Sequence, residues 1–219
     1  RARSLGDVHA ALAARVKQSQ PGEIIVSNSD WHEAQLKEQR LPLTAETTPH
    51  YLHFEAESIP RGRTEFKCAP PIREHANRER LWQGLADGVI EMIVSDHSPC
   101  TPALKHGSFL EAWGGIASMQ FLLPIIWTEA RSRGFGLTDL VRWLCERPAR
   151  LARLSNKGAI EPGRDADFAI WSPEETLTIE ASMIEHRHKL TPYLGETFGG
   201  VVSETWVRGR RVFPLAVSR

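Results

Sequence analysis

The chain has 219 residues, a mass of 24.6 kDa, 41% apolar and 25% charged residues, which fits a globular fold and excludes a disordered or collagen-like one. Lys plus Arg and Asp plus Glu number 27 each, so the formal charge is zero and the basic footprint of a nucleic-acid binder is missing. Cys68, Cys100 and Cys145 are widely spaced with no CxxC, a pattern of a reducing compartment and not of a disulfide scaffold. The opening RARSLGDVHAAL has neither an initiator Met nor a basic-then-apolar leader, so the chain is expected to be a piece of something longer.

In chain order, GEIIVS (Gly22–Ser27) is a short apolar run bounded by turn residues and reads as a buried strand. Trp31–Arg40 is a polar, helix-favouring connector, and Leu41–Thr47 is a second strand ending at Thr48-Pro49. Thr64–Cys68 reads as a strand stopped by Pro70-Pro71. Asn77–Ala86 places Leu81, Trp82 and Leu85 on one helical face and closes at Asp87-Gly88. Ile90–Ser95 is a further strand, with SDHSPCTP as the loop at its C-terminal end. Helical stretches follow at about Ser108–Ser132 and Leu137–Arg147, the second starting at Thr138-Asp139 and stopped by Pro148. The uncharged run Ala112–Thr128 spans 17 residues, short of the roughly 20 a bilayer needs, and holds Gly114, Gly115, Gln120 and Pro124. It reads as a buried helix, so no membrane partner is expected.

Strands alternating with helices predict an α/β body with a parallel sheet. After about Lys157 the pattern changes to strands, at Asp165–Trp171, Thr176–Glu180 and Val201–Phe213, the last broken by a hairpin turn at Arg208-Gly209-Arg210. Residues 1–156 are therefore read as the body and residues 157–219 as an appended β module.

Three loops that follow directly on expected strands could carry chemistry: TTPHYLHF with His50 and His53, KCAPPIRE with Cys68 and Arg73, and VSDHSPC with Asp96, His97, Ser98 and Cys100. Active sites of α/β barrels lie at such strand ends, and imidazole plus carboxylate suits zinc. Each has a bland reading as well. His50 could be a polar loop residue, and His53, His75 and His106 have less to recommend them as ligands. His186 and His188 belong to a basic HRHK stretch that reads as a solvated face. A carboxylate at a buried strand end must be paired, hydrogen-bonded or metal-bound, but Asp96 could equally cap a helix or form a salt bridge. Cys68 and Cys100 could be nucleophiles or small buried hydrophobes. There is no GxSxG elbow and no glycine-rich phosphate loop.

Taken together, LPLTAETTPHYLHF, TEFKCAPPIRE, NRERLW, VSDHSPC, AWGGIASMQF, HKLTPYLG and VRGRRVF resemble the allantoinases, within the cyclic amidohydrolase group that also holds dihydropyrimidinase, hydantoinase and dihydroorotase. TPHYL and VSDHSP are shared across that group, whereas KCAPPIRE, WGGIAS and HKLTPYLG point to allantoinase. The resemblance implies the C-terminal part of a metal-dependent (β/α)8 barrel plus a β-sandwich segment, two zinc ions per site, and hydrolysis of allantoin to allantoate in purine catabolism. It further implies a cytoplasmic homo-oligomer, a tetramer, acting on a small molecule. By motif, His50 is implied as a metal ligand and Asp96 as a metal ligand and proton shuttle. Cys68 and Ser98 are implied as contacts to the ureide ring.

The chain also departs from the family's six-ligand pattern. No HxH pair precedes His50, since His186-Arg187-His188 lies in another segment, and no lysine-bearing strand is evident. Ser27 stands nearest to where the fifth-strand His is expected, and His32 lies past that strand end. A full barrel takes about 250 residues, so 219 residues shared with a β module cannot hold one. Three readings stay open: an allantoinase-type hydrolase active within a longer chain, a truncated inactive fragment or pseudoenzyme serving as an interaction module, and a dihydropyrimidinase- or hydantoinase-type enzyme.

Overall fold

The structure, a computed structural model, describes residues 44–214 together with Ala14, Lys17 and Gln18. The expected strand at 22–27, the connector at 31–40, Ser27 and His32 lie outside the described residues. Strand β1 (Glu46–Thr47) pairs in parallel with β2 (Met92–Ile93), Glu46 opposite Met92 and Thr47 opposite Ile93. Main-chain bonds from Glu91 to Ala45 and from Val94 to Thr47, both 2.9 Å, extend this short ladder. Parallel neighbours need a crossover, and here it carries α1 (Pro49–His53) and α2 (His75–Ala86). Helix α3 (Leu122–Ser132), α4 (Leu137–Val141) and α5 (Arg147–Leu151) follow. The chain then forms an antiparallel sheet in the order β3 (Phe168–Thr178), β4 (Thr197–Val207), β5 (Arg210–Phe213).

Several expectations are corrected. The TPHYL segment is helical, because Pro49 occupies the first turn, where its missing N–H has no partner to lose. Thr64–Cys68 is not a strand: Thr64–Phe66 forms a single 3-10 turn. Of Ile90–Ser95 only Met92–Ile93 is strand, and of Ser108–Ser132 only the last part is α-helix, preceded by a 3-10 turn at Met119–Phe121. No helix among the described residues is long and apolar enough to cross a membrane. Pro148 does not end its helix. The turn before it widens to a π-helix at Arg142–Glu146, which accommodates the proline ring and lets α5 continue to Leu151. The two strands expected at 165–171 and 176–180 are one strand, β3, with a register shift between Ser172 and Thr176 around Pro173. The hairpin turn is where its sequence places it, with Arg208 and Gly209 both at positive φ, 48° and 73°, as a type I′ turn requires.

Two apolar clusters hold these elements. One joins Leu52, Trp82, Leu85, Ile93, Ile126, Leu140 and Trp143 beneath α2, α3 and α4; the Trp82 indole N–H donates to the Leu52 carbonyl at 3.0 Å. The other gathers Phe54, Ile116, Phe121, Ile125, Tyr193 and Phe198 between α1, α3 and β4. Helix α3 is tied to the antiparallel sheet by the Trp127 indole donating to Pro173 O at 2.9 Å and by Gly199 N–H donating to Thr128 Oγ1 at 2.8 Å. Gly200 sits at φ 93° between Trp127 and Trp171, where a Cβ would meet both rings at 3.0–3.1 Å.

Two features at this level shape the site. His53 bridges two carboxylates, Nδ1 to Glu129 Oε1 at 2.7 Å and Nε2 to Glu196 Oε2 at 2.6 Å. Burial opposes its charge, but the two carboxylates outweigh burial and push its pKa up to about 9. Glu129 is in turn bonded by Arg133. His53 is thus an imidazolium linking α1, α3 and the start of β4, and not a ligand. Farther along, Gly114 and Gly115 let the chain pass between two rim segments. A Cβ on Gly115 would lie 2.5 Å from Ser98 Oγ, and one on Gly114 would lie 3.3 Å from Ala69 Cβ.

Because the folded pKa of His53 exceeds the unfolded value near 6.5, its contribution is complete below pH 6.5 and lost as pH rises through about 9. That contribution is on the order of 3 kcal/mol. Thermal unfolding followed by circular dichroism should show the midpoint falling between pH 7 and 10, and His53→Gln should flatten that dependence. Gly115→Ala should destabilise the chain by about 1–3 kcal/mol in urea unfolding, since Ser98 must move away from the new methyl group.

Candidate functional site

The ladder between β1 and β2 sets the site. His50 stands three residues past Thr47 and Asp96 three residues past Ile93, so the parallel register brings the two to the same end of neighbouring strands. His50 is fully buried. Its Nδ1 lies 2.9 Å from the Tyr193 hydroxyl, while Nε2 has no hydrogen-bond partner among the described residues. Burial pushes its pKa down to about 4, helped by the nearby His97 and Lys105 and opposed by the main chain of Asp96. At neutral pH it is a neutral imidazole with a buried nitrogen left over.

Asp96 corrects one expectation. Its side chain is not buried: the residue is exposed, though partial desolvation still raises its pKa. Its φ of 44° places it in the left-handed region, uncommon outside glycine, and this turns the chain sharply at the strand end. Glu46, on β1, has its pKa raised as well, by burial and then by Asp96. Glu46 lies within a strand and carries no ligand-like spacing, so no local pattern marks it.

Of the two residues implied as ring contacts, Cys68 is buried and its thiol is pushed up to about 11 by desolvation, so it behaves as a small buried group and not as a nucleophile. Ser98 is half-buried, held by its N–H donating to Ile116 O at 2.9 Å. It borders a cavity of about 10 Å³, room for about one water, together with Cys100, Lys105, Gly115 and Thr191. His97 Nδ1 accepts from the main-chain N–H groups of Ser118 and Met119 at 3.1 and 3.2 Å. A nitrogen that accepts twice carries no proton, so His97 is neutral with Nε2–H. His186 packs edge-on to His97 with ring centroids 5.6 Å apart, and both of its ring nitrogens are buried without a partner among the described residues. The HRHK stretch is therefore not simply a solvated face. His75 is bonded to Glu55 at 2.8 Å.

The chemistry of this donor set suits a borderline metal ion in kind, with a neutral imidazole whose spare nitrogen is buried and a carboxylate at the same strand end. It does not suit one in number. Among the described residues no group of three or more His, Cys, Asp or Glu side chains is placed to share an ion. A carboxylate with a raised pKa beside a polar rim can accept and return a proton, which is what the geometry supports without further partners.

An allantoinase of Streptomyces avermitilis is 54% identical over 176 residues, 80% of this chain and 40% of that protein. Allantoinases of Arabidopsis thaliana and Saccharomyces cerevisiae are 48% and 46% identical, with 35% and 38% of their lengths covered. The chain thus spans well under half the length of the curated relatives it matches. Among solved structures, an L-hydantoinase (dihydropyrimidinase) of Arthrobacter aurescens superposes with a TM-score of 0.82 at 28% identity, over 95% of this chain and 49% of that one. The described architecture is accordingly part of an α/β barrel joined to an antiparallel sheet. The amidohydrolase family matches residues 29–212, a span that takes in both strand ends and the antiparallel sheet, and the chain belongs to that family.

Proposed function

We propose that this chain is the C-terminal portion of a cyclic amidohydrolase that hydrolyses the allantoin ring to allantoate, with the activity belonging to a longer polypeptide. The observation that carries this reading is the parallel register of β1 and β2, which gives His50 and Asp96 a common strand end in a chain 54% identical to an allantoinase. In that role Asp96 accepts a proton from the attacking water and delivers it to the departing ring nitrogen, so one carboxylate serves as base and then as acid. Its partly desolvated carboxyl, raised above the ordinary aspartate value, makes it a stronger base for taking that proton. Ser98 and the segment around Cys68 form the wall that orients the ring. A hydantoin or dihydropyrimidine ring is the alternative, supported by the structural neighbour as a related family.

His50 and Asp96 are proposed as this chain's share of the donors of a two-zinc site, whose other donors belong to a longer chain. With only those two, the chain alone is an inactive fragment. The division into a partial barrel at residues 1–156 and a β module at 157–219, a cytoplasmic location, a role in purine catabolism and assembly of the longer protein as a tetramer belong to the same proposal.

The purified chain incubated with zinc and then dialysed should hold well under one ion per chain by elemental analysis, and should not open allantoin above a zinc-only control. About two ions per chain, or turnover, would overturn the donor count. In a longer polypeptide that contains this chain and turns over allantoin, Asp96→Asn should lower kcat by about 10²–10⁴-fold. A variant with unchanged kcat would remove Asp96 from the mechanism.

A further inference from the structure

Lys105 is one of the few charged residues buried among those described, and no role assigned so far uses it. Its Nζ donates to three main-chain carbonyls, Lys67 O at 2.9 Å, Trp113 O at 2.8 Å and Gly115 O at 2.8 Å. Three acceptors with no proton of their own need three N–H donors, which a lysine offers only as an ammonium. The carbonyl of Lys105 itself accepts from Thr64 Oγ1. The Lys105 ammonium and carbonyl together therefore tie its own stretch, 102–105, to two others, 64–67 and 113–115, that no strand ladder or long helix joins.

The clasped carbonyls are not randomly placed. Lys67 precedes Cys68, and Gly115 packs against Ser98 so closely that it tolerates no Cβ. Gly115 N–H also donates to Lys67 O at 3.0 Å, so the same carbonyl serves both the clasp and the neighbouring strand of loop. Lys105 and Ser98 line the same water-sized cavity. We propose that Lys105 is a positioning residue, an internal ammonium that holds the Cys68 and Ser98 segments in register to form one wall of the substrate site. Its relevance to substrate rests on the proposed function, but the clasp itself is testable with no turnover at all.

Such a clasp works as a bound cation would. Each carbonyl that leaves water when the rim closes is matched by a charged donor, and a charged donor bonds more strongly than a neutral one. Without it, the Trp113 and Gly115 carbonyls lose this donor and Lys67 O keeps only the Gly115 N–H, and the rim opens locally well before the two apolar clusters come apart.

The test reads the reactivity of the buried Cys68 thiol toward N-ethylmaleimide in the purified chain, located by peptide mass spectrometry, with the exposed Cys145 in the same molecule as internal reference. Lys105→Ala should raise the Cys68 rate about tenfold or more while leaving Cys145 unchanged. Added n-propylammonium, which replaces the deleted atoms and the charge, should restore protection, whereas n-propanol should not. Thr64→Val leaves every charge in place and releases only the Lys105 carbonyl. It should raise the Cys68 rate by a smaller factor, and it decides the matter if Lys105→Ala does not fold. A Cys68 rate that stays at the wild-type level in the variants, that rises only in step with Cys145, or that propanol suppresses as well as propylammonium would overturn the clasp. None of these readings depends on which ring, if any, the longer protein hydrolyses.

Discussion

The parallel ladder between β1 and β2 is two residue pairs long, yet the site depends on it. Side chains alternate along a strand, and a one-residue slip would turn every one of them to the other face. In the register observed, Thr47 lies opposite Ile93, and the chain leaves both strands at the same level. His50 then turns inward on a helical turn begun by Pro49, while Asp96 turns through a left-handed backbone. Met92 and Ile93, both buried, hold the ladder in register, since a slip in one direction would bring the charged Glu91 into the place of Met92.

Near this ladder lie a half-buried imidazolium and a buried ammonium, and they are satisfied in opposite ways. His53 is held by carboxylates from α3 and β4, so its charge is neutralised and joins the helical layer to the antiparallel sheet. Lys105 is held by main-chain carbonyls alone, so its charge is solvated and not neutralised, and it organises loops. His50 is left uncharged by burial, with the Lys105 ammonium lowering its pKa further. Three imidazoles or amines within one layer thus take three different states. The difference lies in the partners each finds, not in residue type.

Much of the architecture was legible in the residues. Trp82 and Leu85 lie on one face at helical spacing, and both are buried in α2. The hairpin at Arg208-Gly209 follows from the conformational freedom of glycine between alternating apolar residues. The TPHYL and VSDHSP motifs do follow strands, β1 and β2. What failed were the short segments. Thr64–Cys68 has strand-like composition, but Thr64–Phe66 folds as a 3-10 turn in which Thr64 bonds the distant carbonyl of Lys105. The helix over residues 137–151 outlasts Pro148 because a wider turn absorbs the ring, an option that propensity does not encode.

The sequence alone determined the family and the identity of the His and Asp that follow the two strands, since these are read from local pattern and motif. Only the tertiary structure decided that His53 is a structural imidazolium, that Asp96 is exposed, that Tyr193 reaches His50 and that Lys105 clasps the rim. The reason is physical. Burial, charge state and hydrogen-bond partnership arise between residues far apart in the chain, 143 positions in the case of His50 and Tyr193, and no local spacing records them.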